Sequence, residues 1–183
     1  MSLQSTSKLL KAYKPSSLEE IKELGLKLRR ISSDESLYRD VYKVSGILLV
    51  LKIPHQTGVY NGENVTLKEA QEHSHNEYKA VQRIKKFKRY KYLRPLMPEI
   101  HYYDEKTGII GIHYYKPFKL PERDKDLIAR LVEIVVESNW DWEEFGTVDV
   151  HTDNIAIRDD FYNPVIIDLG YFVQQGKDVV KFK

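Results

Sequence analysis

The sequence predicts an α+β chain with antiparallel strands, and three observations carry that expectation. Short runs rich in Val, Ile, Leu and Tyr recur between turn residues, the pattern of strands. Three segments show the helical spacing of apolar residues. Helices are therefore too few and too scattered to alternate with strands in a parallel doubly wound sheet.

The first helix is expected over residues 16–24, capped by Ser16 or Ser17, with Glu19 and Glu20 in its first turn. Strand-like runs follow at Lys27–Ile31 and Tyr38–Val44, separated by the turn-rich stretch Ser32–Ser36. Ser45-Gly46 turns the chain into Ile47–Ile53, a β-branched and leucine-rich run that reads as a buried strand ended by Pro54. Residues 54–65 read as a loop, with Gly58 and Asn61-Gly62.

Thr66 and Glu69 make a T-x-x-E capping box at the head of a long helix. Its stripe is Leu67, Ala70, Tyr78, Val81, Ile84 and Phe87, and Pro95 and Pro98 bound its exit. A hairpin is expected from Glu99–Tyr103 through a polar turn, Asp104–Gly108, to Ile109–Tyr115. After the connector Lys116-Pro117-Phe118, Pro121 opens a last helix, with Glu122 and Asp124 at its positive end. Leu127, Ile128, Leu131, Ile134 and Val135 form its apolar stripe, which runs to about Asn139. Beyond Gly146 come a loop, a strand Ile155–Ile157, a turn Asp159–Pro164, a strand Val165–Ile167 and a tail.

The chain has 183 residues, which suits one domain or one two-lobed unit. At 42% hydrophobic and 31% charged residues it can bury a core and is too apolar for a disordered chain. Its lack of cysteine excludes disulfide scaffolds, thiolate zinc sites, iron–sulfur clusters and cysteine nucleophiles, and fits a reducing, cytoplasmic setting. No apolar run reaches the roughly 18 residues of a membrane span, and no signal-peptide core is visible, so no membrane partner is expected. The net charge of +2 hides an asymmetry. Residues 1–94 carry 19 Lys/Arg against 10 Asp/Glu, whereas residues 95–183 carry 10 against 17. A basic half can meet a polyanion, and an acidic half can meet metal ions.

The most informative stretch runs from Val148 to Gly170. Asp149 and Asn154 stand as D-x-x-x-x-N on a loop after a helix, and Asp168 follows an apolar run and precedes Leu169-Gly170. A buried strand fixes the backbone of such a carboxylate, and the glycine lets the chain turn away. Asn154 directly precedes the partner strand, so a hairpin would bring Asn154 and Asp168 together. An amide oxygen and a carboxylate are hard donors, suited to a Mg²⁺ that keeps waters and binds substrate phosphates.

This ordered set resembles the catalytic core of the protein-kinase-like superfamily, with its H-R-D-x-x-x-x-N catalytic loop and D-F-G metal-binding turn. Thr147-Val148-Asp149 stands where H-R-D would be, and Asp168-Leu169-Gly170 where D-F-G would be. Leu49-Val50-Leu51-Lys52 resembles the V-A-I-K strand. The resemblance implies a fold with an antiparallel N-lobe sheet carrying one helix (residues 1–115) and a much reduced C-lobe (116–183). It implies ATP and Mg²⁺ as cofactors. Asp149 would be the catalytic base, Asn154 and Asp168 the metal ligands, and Lys52 the phosphate contact paired with Glu77. Ser32 and Ser33 would lie in the phosphate-covering turn, and Tyr115 in the adenine-binding hinge near Tyr114–Phe118. His151 makes the loop D-x-H-x-x-N, which is similar to the aminoglycoside- and choline-kinase branch, while Asp-Leu-Gly is closer to protein kinases.

The sequence departs from that pattern in three places. It lacks G-x-G-x-x-G and the H-R of H-R-D, and 15 residues follow Asp168. The resemblance implies a minimal phosphotransferase moving the ATP γ-phosphate to a hydroxyl of a protein or small molecule. The truncated C-lobe keeps a second reading open, a pseudokinase or kinase-derived binding module without turnover. A third comes from residues 79–94, where eight basic residues interleave with Phe87, Tyr90 and Tyr92 and no acid intervenes, the composition of a nucleic-acid or acidic-partner surface. His73 and His75 are two apart on a helix and do not face one way. His151 with Asp149 and Asp153 lacks a serine on a nucleophile elbow, so a hydrolytic triad is not expected.

Overall fold

The computed structural model describes residues 1–32, 36–55, 58–60, 63–116, 120–140, 150–158 and 163–170. Among them the chain is α+β, with four α-helices and one five-stranded antiparallel sheet. It divides into two compact units, Met1–His75 with Glu99–Tyr114, and Asn76–Pro98 with Tyr115–Lys183.

The first unit opens with a helix absent from the sequence expectation, α1 (Leu3–Tyr13). Ser2 caps it in a reciprocal box with Ser5, and Lys14 ends it in the left-handed region at φ 44°. Its buried positions are Thr6 and Leu10, and Leu3 packs partly buried against the same core. Helix α2 (Leu18–Glu23) is capped by Ser17. The neighbouring Ser16 binds Glu20 through its backbone N–H and its hydroxyl, which holds that carboxyl below its ordinary range.

Strands β1 (Leu28–Arg30), β2 (Arg39–Val44) and β3 (Leu49–Pro54) follow. The third starts two residues later than expected, because the turn at Gly46, with φ +78°, extends through the exposed Leu48. The stretch expected as loop holds a small hairpin, β4 (Val59–Tyr60) and β5 (Glu63–Asn64). Strands β6 (Ile100–Tyr103) and β7 (Ile110–His113) complete the sheet in the order β1-β2-β3-β7-β6. β3 is therefore central and buried at all six positions. Leu49, Leu51 and Ile53 join Leu10 of α1, Ile21 of α2 and Tyr102 in one apolar cluster. Alternation sends Val50 and Lys52 to the other face. Burial pushes the Tyr102 hydroxyl up to about 12, with the Asp104 carboxylate adding to the effect.

Helix α3 (Leu67–Lys86) starts with the expected box. The Glu69 carboxylate accepts from the Thr66 N–H and hydroxyl, both at 2.7 Å, and the Glu69 N–H donates to Thr66 Oγ1 at 3.2 Å. These bonds hold the Glu69 carboxyl below its ordinary range. Thr66→Ala should cost about 1 kcal/mol of stability. The lowered carboxyl sets the pH sign. The Glu69 contribution is present above its unfolded-state pKa and is lost as pH falls through the lowered folded value. Denaturant midpoints of wild type and Glu69→Gln should therefore differ near neutrality and converge in acid.

The second unit contains the end of α3, which stops at Lys86, short of the prolines. Two 3-10 turns, Lys88–Tyr90 and Arg94–Leu96, replace its expected last turns. Phe87 is extended, and the Arg94 guanidinium donates to the Ile84 and Phe87 carbonyls at 3.3 and 3.2 Å, closing the helix C-terminus.

In α4 (Glu122–Asn139) the apolar stripe is mostly exposed, with Ile128 half-buried. Leu127, Leu131, Ile134 and Val135 are 58%, 55%, 56% and 37% exposed, while Ala129, Val132 and Val136 are buried. Strands β8 (Ile155–Ile157) and β9 (Pro164–Ile166) form the last hairpin. Ala156, Val165, Ile167 and Tyr115 make its core. Arg158 donates to the Pro95 and Met97 carbonyls, both at 2.9 Å, which ties this hairpin to the second 3-10 turn. No helix among the described residues is long and apolar enough to cross a membrane.

Candidate functional site

The β8–β9 hairpin brings the expected metal ligands to one end. Ile155 pairs with Ile166, and beyond that pair the Ile167 N–H donates to the Asn154 carbonyl at 2.8 Å. Asn154 therefore lies opposite Ile167, the residue next to Asp168. All three residues of β8 are buried, and Val165 and Ile166 are fully so, which anchors this hairpin end.

Each of the two residues is held locally. Asn154 ends a 3-10 turn, Thr152–Asn154, whose N-cap is His151. The His151 Nδ1 accepts from the Asp153 N–H at 3.3 Å, and its carbonyl accepts from the Asn154 N–H at 3.0 Å. His151 thus shapes the loop from the backbone side, a role that motif reasoning did not assign. The Asp168 carboxylate accepts from the Gly170 N–H at 3.1 Å, while Leu169 between them is fully buried. Asp168 is half-buried, so its carboxylate is oriented and still at the boundary with solvent.

Lys52 sits on central β3 between Val41 and Ile110 and is 4% exposed. A lysine guarding a sheet edge would be on an outer strand and wetted, so that simpler explanation does not apply. Glu77, in the second unit, is mid-way along α3 and fully buried. Charged side chains are almost never so buried unless paired, and each of these two has a polar or electrostatic partner.

The remaining expected residues fare differently. The Ser32 hydroxyl accepts from the Val41 N–H at 3.1 Å and from Arg30 Nε at 3.3 Å, so it closes the end of the β1–β2 ladder. Ser33 and Asp149 lie outside the described residues. The Tyr115 ring is buried in the hairpin core, with the Arg158 guanidinium 5.7 Å from its centroid.

One feature had no counterpart in the sequence reading. Arg123, Asp126, Leu127, Arg130 and Glu133 of α4, with His151, line a groove of about 830 Å³. No known protein family matches the chain, and neither does any curated protein.

Proposed function

We propose that the chain is a minimal kinase-like phosphotransferase that uses ATP and Mg²⁺. The observation that supports this reading best is the β8–β9 hairpin end, where Asn154 stands beside Ile167-Asp168 and the Asp168 carboxylate is oriented by Gly170. Asn154 and Asp168 would hold Mg²⁺, which supplies charge neutralisation on the β- and γ-phosphates. Lys52 would neutralise phosphate charge, and Glu77 matches the glutamate that the family pairs with that lysine. The base would meet the backbone at Tyr115 rather than its ring. Asp149 orients the acceptor hydroxyl and takes its proton as the γ-phosphoryl moves to that oxygen and ADP leaves. Such a site works by positioning and electrostatics.

Titrating the protein with a non-hydrolysable ATP analogue, with and without Mg²⁺, tests the reading. Metal-dependent binding is expected, and absence of binding sinks it. Asp149→Asn then separates enzyme from pseudokinase. A phosphotransferase loses turnover with that change, whereas a binding module keeps its full function.

A second reading has its own support. Phe87 is 37% exposed, and Arg83, Lys86 and Arg89 lie 5.0, 5.6 and 5.8 Å from its ring centroid. An exposed ring among cations is a stacking platform for single-stranded nucleic acid. That reading demands binding that weakens steeply with salt; salt-insensitive or absent binding removes it.

A further inference from the structure

Glu99, His101 and His113 lie at one end of the β6–β7 hairpin, and none of them is among the residues assigned above. Among the described residues they form the one group of three His, Cys, Asp or Glu whose ligand atoms all lie within 4.8 Å of one another. Backbone pairing explains how. The His113 N–H donates to the Glu99 carbonyl at 2.8 Å, which sets these two residues opposite each other. The register then shifts from Ile100↔Ile112 to Tyr102↔Gly111, leaving His101 as the extra residue of a β-bulge. A bulge re-aims its side chain, and here the His101 ring comes 5.7 Å from the His113 ring, centroid to centroid. Gly111 makes the closure possible, because a Cβ there would press on Tyr102 Cβ at 3.1 Å and Leu51 Cδ2 at 3.2 Å. The bulge is also fixed from outside the hairpin, by the Ser7 hydroxyl of α1 donating to the His101 carbonyl at 2.6 Å.

We propose that Glu99, His101 and His113 form a binding site for Zn²⁺ or a similar late first-row divalent cation. Two imidazoles and a carboxylate, with room for water in a fourth position, are the donor set of open zinc sites. Imidazole donors favour such ions over Mg²⁺. Donors on a tetrahedral zinc ion stand about 3.3 Å apart, so side-chain rotations closing at most about 1.5 Å complete the site. Glu99 Oε2 is already 3.9 Å from His101 Nε2. Glu99 is exposed and both histidines are half-buried, with His101 Nε2 and His113 Nδ1 themselves buried, so Glu99 forms the solvent side of the site. The protein has no cysteine to compete. Elsewhere His55 lies 3.9 Å from Asp40 and His151 lies 3.8 Å from Asp153. A bound ion cross-links β6 to β7 at the last residue of β7 and, through the bulge, steadies α1. The proposal is independent of the nucleotide reading.

The test is titration of the chelator-treated full chain with Zn²⁺ alone. One equivalent should bind, with a rise in Tm that excess Mg²⁺ does not reproduce. His101→Gln and His113→Gln should each weaken binding more than about tenfold. Glu99→Gln changes an exposed side chain that the fold tolerates, and it should also weaken binding. In histidine side-chain nitrogen NMR, the rings of His101 and His113 should shift among the six. No uptake of Zn²⁺, uptake indifferent to all three substitutions, or shifts confined to other histidines would overturn the proposal.

Discussion

Asp168→Asn should weaken Mg²⁺-dependent binding of an ATP analogue on the order of 100-fold, the loss expected when a charged ligand becomes neutral. The substitution is chosen to keep the shape. An asparagine oxygen can still accept from the Gly170 N–H, and Leu169 keeps its fully buried place. The Tm should therefore stay near that of wild type, which separates loss of a ligand from loss of the fold. Binding without Mg²⁺ should change little, because the carboxylate acts through the ion. If Asp168→Asn binds the nucleotide with Mg²⁺ as wild type does, the hairpin end is not the metal site and the kinase-like reading fails.

Leu51→Ala should cost about 3 kcal/mol, a large share of the 5–15 kcal/mol that typically holds a domain together. The expected fall in Tm is about 10 °C for a chain of this size. Leu51 is fully buried in the central strand, in one cluster with Leu10, Ile21, Leu49 and Tyr102. Truncation there removes apolar contact from two helices and the sheet together, and a rigid ladder leaves the cavity little room to collapse. Leu131→Ala is the matched control. The two leucines look alike in an apolar pattern, but Leu131 is 55% exposed. Its loss should move the thermal midpoint by no more than surface substitutions do. Equal effects at the two positions would contradict the burial described for α4.

The features legible beforehand were those whose signal is local. The T-x-x-E box marks the start of α3 because both partners are three residues apart and bind each other's backbone. The positive φ at Gly46 and Gly108 falls where turns were expected. The buried run of β3 announced itself by composition, and the pairing of β8 with β9 by two short apolar runs around a turn. That pairing already implied that Asn154 and Asp168 would approach each other. Helix α1 was missed because its capping box uses Ser5 where the recognisable signature has Glu or Gln.

By itself the sequence determined the antiparallel α+β class, the strand-helix-hairpin order, the absence of thiol chemistry and the neighbourhood of Asn154 and Asp168. Each depends on residue type or on spacings of a few positions. Tertiary structure alone decided three other things. It made β3 a central strand, and so made Lys52 a buried charge rather than an edge lysine. It put Ala129, Val132 and Val136 inward and left Leu127, Leu131 and Ile134 outside. It slipped the β6–β7 register by one residue at His101 and so gathered Glu99, His101 and His113. Strand order, helix rotation and register are set by which surfaces meet, a sum over contacts distant in the chain.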